Sequence, residues 1–131
     1  MKFSAHLSNK PGSQTLTLKV GDKEQSLPIA SRESGGSSVT GGELLFLALA
    51  TCYCNDIYRE AAAQNIKVNG VEIEVEGDFA APGRPASNIV YRAKVDADAT
   101  EGQIRELMLH TDAVAEIQNT LRVGTPVRLE L

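Results

Sequence analysis

Residues 40–64 read TGGELLFLALATCYCNDIYREAAAQ, and the way this stretch folds decides the rest of the chain. Thr40, with Glu43 three residues on, matches a capping box, in which two side chains satisfy the free backbone N–H groups of a helix start. The spacing predicts a helix from there to about Gln64. Its first half, Leu44 to Ala50, is apolar on every side, which is the pattern of a helix that is surrounded. A chain of 131 residues has limited material to surround one, so burial by a second subunit is expected. The apolar run ends at Cys52 and Cys54, the only two cysteines. The chain then turns polar at Asn55, Asp56, Arg59 and Glu60.

Two residues apart on a helix, Cys52 and Cys54 point roughly 200° apart around the axis. Disulfide geometry needs converging Cβ vectors, so the two do not bond while the helix is intact. C-x-C is also the wrong spacing for a C-x-x-C redox pair. A zinc site takes about four ligands, and only His6 and His110 are available to join the thiols. Neither metal nor any other cofactor is expected. Free Cys is often core filler, and that reading stands beside a reactive one. A thiol at this position borders both a greasy pocket and charged partners, and its reactivity would need a cation close by to hold the thiolate.

Working outward, the first 30 residues alternate with period two. Phe3, Ala5 and Leu7, then Leu16, Leu18 and Val20, then Leu27 and Ile29 are separated by turn-forming SNKPGSQ and GDKEQ. This reads as a three-stranded antiparallel meander, with Pro28 placing the third strand on an edge. SRESGGSSVTGG, residues 31–42, has no periodicity and is a loop. It lacks the Gly-Lys-Ser/Thr ending of a phosphate-binding loop.

Beyond the helix, Val68–Phe79 and Ile89–Val95 alternate again. Glu72, Glu74 and Glu76 lie on one face of the first strand, and Arg92 and Lys94 on the second. If neighbours pair, these charges meet across the ladder. Thr100 and Gln103 form a second capping box, opening a helix with Ile104, Leu107, Met108, Thr111, Val114, Ile117 and Leu121 at helical spacing. A break is placed near Asp112. A final strand is expected over Val123–Leu131. The element order predicts one α+β domain, residues 1–131, with antiparallel pairing.

The formal net charge of −4 gives a field that repels nucleic acid and anionic membranes. The longest apolar run, 44–50, falls far short of the ~18 residues of a membrane span. No signal segment is recognised at the N-terminus, so the chain is expected to be cytoplasmic, where thiols stay reduced.

The stretch GGELLFLALATCYCNDIYREAAAQNIKVNGVEIEVEG resembles the core of the OsmC/Ohr family of hydroperoxide-detoxifying proteins. In that family an acidic residue opens the central helix within a P-x-E-L-L-type motif. The peroxidatic cysteine follows nine or ten residues later, ahead of a V-x-x-V-x-V-x-V strand. Glu43 and Cys52 fall on those positions. AEIQNTLRVGTPVRLEL looks like the second family motif, C-P-V-S-x-T-L followed by a last strand. The resemblance implies an OsmC-like fold and an intertwined homodimer with sites at the subunit boundary. It also implies reduction of small hydrophobic hydroperoxides, with Cys52 and Glu43 as catalytic residues.

Two departures matter. The family's resolving cysteine falls on Ala115, so the resemblance implies an external thiol as resolving partner. The family's activating arginine lies in an N-terminal hairpin that here offers only Lys10, and Arg32 in the Gly/Ser loop is the other candidate for binding at the site. Nine residues along a helix span ~13 Å and about half a revolution. Glu43 and Cys52 therefore share a site only if the partner chain supplies one of them or the first turn is irregular. The alternative reading is a non-catalytic protein of the same fold, holding a small hydrophobic ligand in the dimer pocket.

Overall fold

Short alternating segments punctuated by glycine build the N-terminal part of the chain. The computed structural model describes residues 1–131, which fall into two compact units, Met1–Leu44 and Leu45–Leu131. In the first, β1 (Phe3–Lys10), β2 (Ser13–Val20) and β3 (Lys23–Ser26) form an antiparallel sheet in that order. Leu7 lies opposite Leu16, and Ala5 opposite Leu18. Gly12 turns the first hairpin at φ +80°, a left-handed conformation that side chains disfavour. The third strand lies earlier than its apolar pattern predicts, on Lys23–Ser26 of the segment read as a turn and not on Leu27 and Ile29. It stops at Ser26, with one further bond from Leu27 N–H to the Leu16 carbonyl, because Pro28 has no N–H to carry the ladder on.

The Gly/Ser loop is tied to this hairpin by hydrogen bonds. Gly36 N–H donates to Asn9 Oδ1 at 2.9 Å, and Gln14 Nε2 donates to the Ile29 carbonyl and to Ser37 Oγ. The loop delivers the chain to Thr40, whose cap forms as the sequence predicts. Thr40 N–H donates to Glu43 Oε2 at 2.6 Å, and Glu43 N–H to Thr40 Oγ1 at 3.1 Å. Helix α1 then runs Gly41–Ala63.

The second unit is built on the remainder of α1. Tyr53, Ile57 and Ala61 recur at i, i+4 and i+8 and are buried together with Leu107, a stripe on one helix face. Against it pack Val71 and Ile73 of β4 (Val68–Asp78), and Tyr91, Ala93 and Val95 of β5 (Ser87–Ala97). The two strands form an antiparallel hairpin in which Glu72 faces Lys94 and Glu74 faces Arg92. Arg92 also pairs diagonally with Glu76 at 3.0 Å, so the two charged stripes meet as the alternation predicts.

Helix α2 (Glu101–Val114) opens with the full Thr100/Gln103 capping box. The break falls at Ala115, not at Asp112. Ala115 takes extended angles (φ −70°, ψ 112°), is fully buried, and separates α2 from α3 (Glu116–Arg122). Asp112 is occupied elsewhere, bonded by Tyr91 Oη and Arg122. The final strand expected over Val123–Leu131 does not form. Those residues join no strand ladder, and Val127 and Leu129 are almost fully exposed. The apolar half of α1 is also less covered than its composition suggests. Between Leu45 and Ala50 only Leu49 is buried, while Leu47 is 61% exposed.

Gly77, at a register irregularity in β4, is where backbone and side chain approach most closely. A Cβ there would lie 2.8 Å from Phe46 Cζ, 3.2 Å from Ile89 Cγ1 and 3.3 Å from the Ser87 carbonyl. Gly77→Ala should therefore destabilise by about 1–3 kcal/mol through overpacking. Ile57→Ala, which empties a fully buried position, should cost about 2–5 kcal/mol. Denaturant titration of the two variants checks both values and their order.

Candidate functional site

Residues four apart on a helix lie on one face, so Cys52 and Asp56 of α1 are neighbours, with Arg59 and Glu60 a turn further on. Helix α3 meets them from the side. Gln118, buried, donates from Nε2 to the Leu49 carbonyl at 3.0 Å. The small side chain of Ala115 lets the chain turn sharply just before Glu116. Helix α2 is fixed in its turn by Tyr53 Oη, which donates to the Met108 carbonyl at 2.8 Å.

The result is one connected set of ionisable groups. The half-buried Cys52 Sγ lies 3.6 Å from Asp56 Oδ2 and 3.7 Å from Glu116 Oε2. The other oxygen of each carboxylate goes to the same guanidinium nitrogen. Arg59 Nη1 is 2.9 Å from Asp56 Oδ1 and 3.2 Å from Glu116 Oε1. Arg59 Nε continues to Glu60 at 3.1 Å, and Glu60 to His110 Nε2 at 2.6 Å.

The electrostatics follow from this arrangement. Burial raises the pKa of Cys52, and the charges of Asp56 and Glu116 raise it further, against the pull of the Ile117 N–H. Burial likewise raises the pKa of Asp56, which is only 4% exposed, and the hydrogen bond with Glu116 adds to this, while Arg59 opposes both. Glu116 is held low by its backbone N–H and by the bond with Asp56. The two carboxylates are thus moved in opposite directions, Asp56 up and Glu116 down. The cation expected beside the thiol is instead one shell out, with the carboxylates standing between Arg59 and the sulfur.

The remaining sequence candidates sit as follows. Glu43 is committed to the Thr40 cap, and its pKa is lowered by those hydrogen bonds and by the charge of Arg32. Arg32 is exposed on the Gly/Ser loop, its carbonyl accepting from Gly12 and Gly35. Lys10 ends β1 and is exposed. Cys54 is a free thiol lining a different shallow cleft with Ala50, Thr51, Asn55, Val71 and Ile73, as the angle around the helix requires. Ligand atoms of Cys52, Asp56 and Glu116 lie within 4.8 Å of one another, a spacing open to a cation, although Arg59 already holds one oxygen of each carboxylate.

Glu116 was not singled out by the sequence. Its only signal was adjacency to Ala115, the position where the family comparison looked for a second cysteine. Gln118 was also missed. Its Oε1 is buried without a partner, beside a cavity of about 230 Å³ lined by Leu49, Ile89, Tyr91, Leu121 and Arg122.

Residues 34–130 match the family model described as OsmC-like protein. Among solved structures, an OsmC-like protein from Mycoplasma pneumoniae superposes with TM-score 0.63 at 16% identity, over 93% of this chain and 88% of that one. An OsmC-like protein of unknown function from Vibrio cholerae gives TM-score 0.63 at 16% identity, covering 92% and 93%. An organic hydroperoxide resistance protein OsmC from Legionella pneumophila gives 0.55 at 18%, covering 93% and 90%. A search of curated proteins finds no match. At these identities the likeness to solved structures is one of fold.

The thiol environment has a direct consequence in solution. In a Cys54→Ser background, the pH midpoint for alkylation of Cys52 by iodoacetamide should lie above that of a free cysteine. At pH 7 the reaction should be slower than with the free amino acid, because alkylation consumes the thiolate. A midpoint at or below the free value would contradict the geometry described.

Proposed function

The chain belongs to the OsmC-like protein family, and from that premise we propose that it is a thiol-dependent redox protein that reduces organic hydroperoxides at Cys52 and is restored by an external thiol. The observation that carries this reading is one half-buried thiol on the central helix set against two carboxylates, Asp56 of α1 and Glu116 of α3, with a buried alanine at position 115. The hydroperoxide resistance protein of Legionella pneumophila shares the fold and lends the substrate class.

In the proposed cycle, the Cys52 sulfur attacks the terminal peroxide oxygen, the O–O bond breaks, and an alcohol leaves. Cys52 becomes a sulfenic acid, oxidised by two electrons. A small thiol condenses with it to a mixed disulfide and water. A second thiol then releases Cys52 and carries away the disulfide. A cytoplasmic setting, rich in such reductants, suits the cycle, and no helix of the chain is long and apolar enough to cross a membrane. The active form in this reading is a homodimer. Exposed Leu47 and Phe79, and the unpaired C-terminal residues Val127 and Leu129, are the apolar surface a second copy would cover.

A second reading has its own support. The cavity beside Gln118, with mostly apolar walls, fits a small apolar ligand held without chemistry. Mass spectrometry of the protein released from native purification would reveal such a ligand.

The peroxidase reading is tested with cumene hydroperoxide and dithiothreitol. Wild-type protein should consume the hydroperoxide catalytically and give a dimedone adduct at Cys52. Cys52→Ser should abolish both, and Cys54→Ser should leave both in place. Absence of the adduct in wild-type protein would end this reading in favour of the ligand-binding one.

A further inference from the structure

We propose that Asp56 and Glu116 act as one acid–base pair for Cys52, taking the thiol proton as the sulfur attacks and giving it to the departing alkoxide. The inference rests on the peroxidase reading and assigns two residues that the sequence and the family resemblance left without a role. Its basis is the division of labour among four carboxylate oxygens. Asp56 Oδ1 and Glu116 Oε1 both bind Arg59 Nη1, at 2.9 Å and 3.2 Å. Asp56 Oδ2 and Glu116 Oε2 are thereby left facing Cys52 Sγ, at 3.6 Å and 3.7 Å. A plain ion pair would be complete with the guanidinium alone. Here the guanidinium acts as a clamp, fixing two acceptors on one sulfur.

The two carboxylates differ in a way that serves proton traffic. Asp56 is nearly sealed, at 4% exposure, whereas the Glu116 side chain is 62% exposed. A proton taken at the sulfur can pass from the buried member to the open one and be replenished from solvent. Burial and the bond to Glu116 move Asp56 upward from its ordinary value, the direction that brings a carboxylate nearer to a thiol as a proton partner. The charged groups facing the thiol are Asp56 from α1 and Glu116 from α3, with the Ile117 N–H also directed at it, and Arg59 of α1 stands behind both carboxylates. Glu60 of α1 and His110 of α2 stand behind Arg59.

The balance of the step is as follows. The S–H bond breaks and its proton goes to the carboxylate pair. A sulfur electron pair forms the S–O bond to the terminal peroxide oxygen, which keeps its own hydrogen. The O–O bond breaks, the alkoxide takes the proton held by the pair, and the products are Cys52–SOH and an alcohol. Sulfur loses two electrons and the peroxide gains them. Standing still, the carboxylates oppose the thiolate. They favour the reaction only by moving the proton, and this contrast can be measured.

The test compares Asp56→Asn and Glu116→Gln in a Cys54→Ser background at pH 7, reading two rates at Cys52. Iodoacetamide alkylation depends on thiolate alone, and removing either negative charge should speed it by about threefold or more, since losing a nearby negative charge lowers the thiol pKa and raises the thiolate fraction. Sulfenylation by cumene hydroperoxide needs the proton as well and should slow by about a hundredfold or more, the scale of lost general acid–base catalysis. Opposite movement of the two rates is the expected result. If the exposed-site variant Glu116→Gln, shown to be folded by its thermal melt, speeds both reactions or leaves the sulfenylation rate unchanged, the pair is overturned while the peroxidase reading stands. Wild-type protein that is not sulfenylated at all overturns the peroxidase reading, and the pair with it.

Discussion

One buried helix face organises the second unit. Tyr53, Ile57 and Ala61 occupy a single stripe of α1, and the hairpin β4–β5 and helix α2 are laid against it. Burial of such side chains contributes about 1.5–3 kcal/mol for each large one, so the stripe is the main reason these elements have fixed positions. Leu49 extends the stripe by one turn toward the N-terminus, and its carbonyl is where Gln118 attaches α3. The polar ring at Cys52 lies along the margin of this same face. Its geometry is inherited from apolar packing, because Asp56 immediately precedes the fully buried Ile57 and cannot move independently of it.

Placing two carboxylates against a thiol is an unfavourable arrangement unless something compensates. Arg59 supplies the compensation, bridging both carboxylates and reaching on to Glu60 and His110. Arginine suits this better than lysine, since a planar fork can hold several acceptors at fixed angles. The consequence is a thiol that rests protonated. Protection of this kind is useful to a cysteine that must avoid indiscriminate oxidation, because reactivity then requires a proton acceptor in the right place as well as an oxidant.

Much of this was legible in the sequence where the signal is local. Capping boxes at Thr40/Glu43 and Thr100/Gln103, the length of α1 and the opposed charges of β4 and β5 all follow from spacing within a few residues of each other. Asp56 lay within reach of the same logic, four residues from Cys52. Glu116 did not, since it is 64 positions away and arrives only because α2 ends at Ala115 and α3 starts at an angle. A break in helical periodicity leaves little trace when the residue that makes it is an alanine, a strong helix former. The displaced third strand and the absent final strand have a different cause. An alternating pattern records which residues could face a core, whereas a strand also needs a partner edge, and residues 125–131 have none in the chain described.

The identity of residue 115 links the fold to the proposed chemistry. A cysteine there would be buried against α1 at the foot of α3, in the neighbourhood of Glu116 and hence of the Cys52 sulfur. Alanine fills the turn without offering a thiol. Cys54 does not replace it, because the helix directs it roughly 200° away into the cleft with Val71 and Ile73. Reaching Cys52 would require α1 to unwind, at the expense of the stripe that holds the unit together. A sulfenic acid at Cys52 therefore has no resolving group within its own unit and must meet its reductant from solvent. The side on which that can happen is the exposed flank of Glu116, the same flank through which the carboxylate pair exchanges its proton. In the proposed cycle, attack on the hydroperoxide and reductive recovery would then converge on one face of α3, where a diffusing thiol could take the place of a second cysteine.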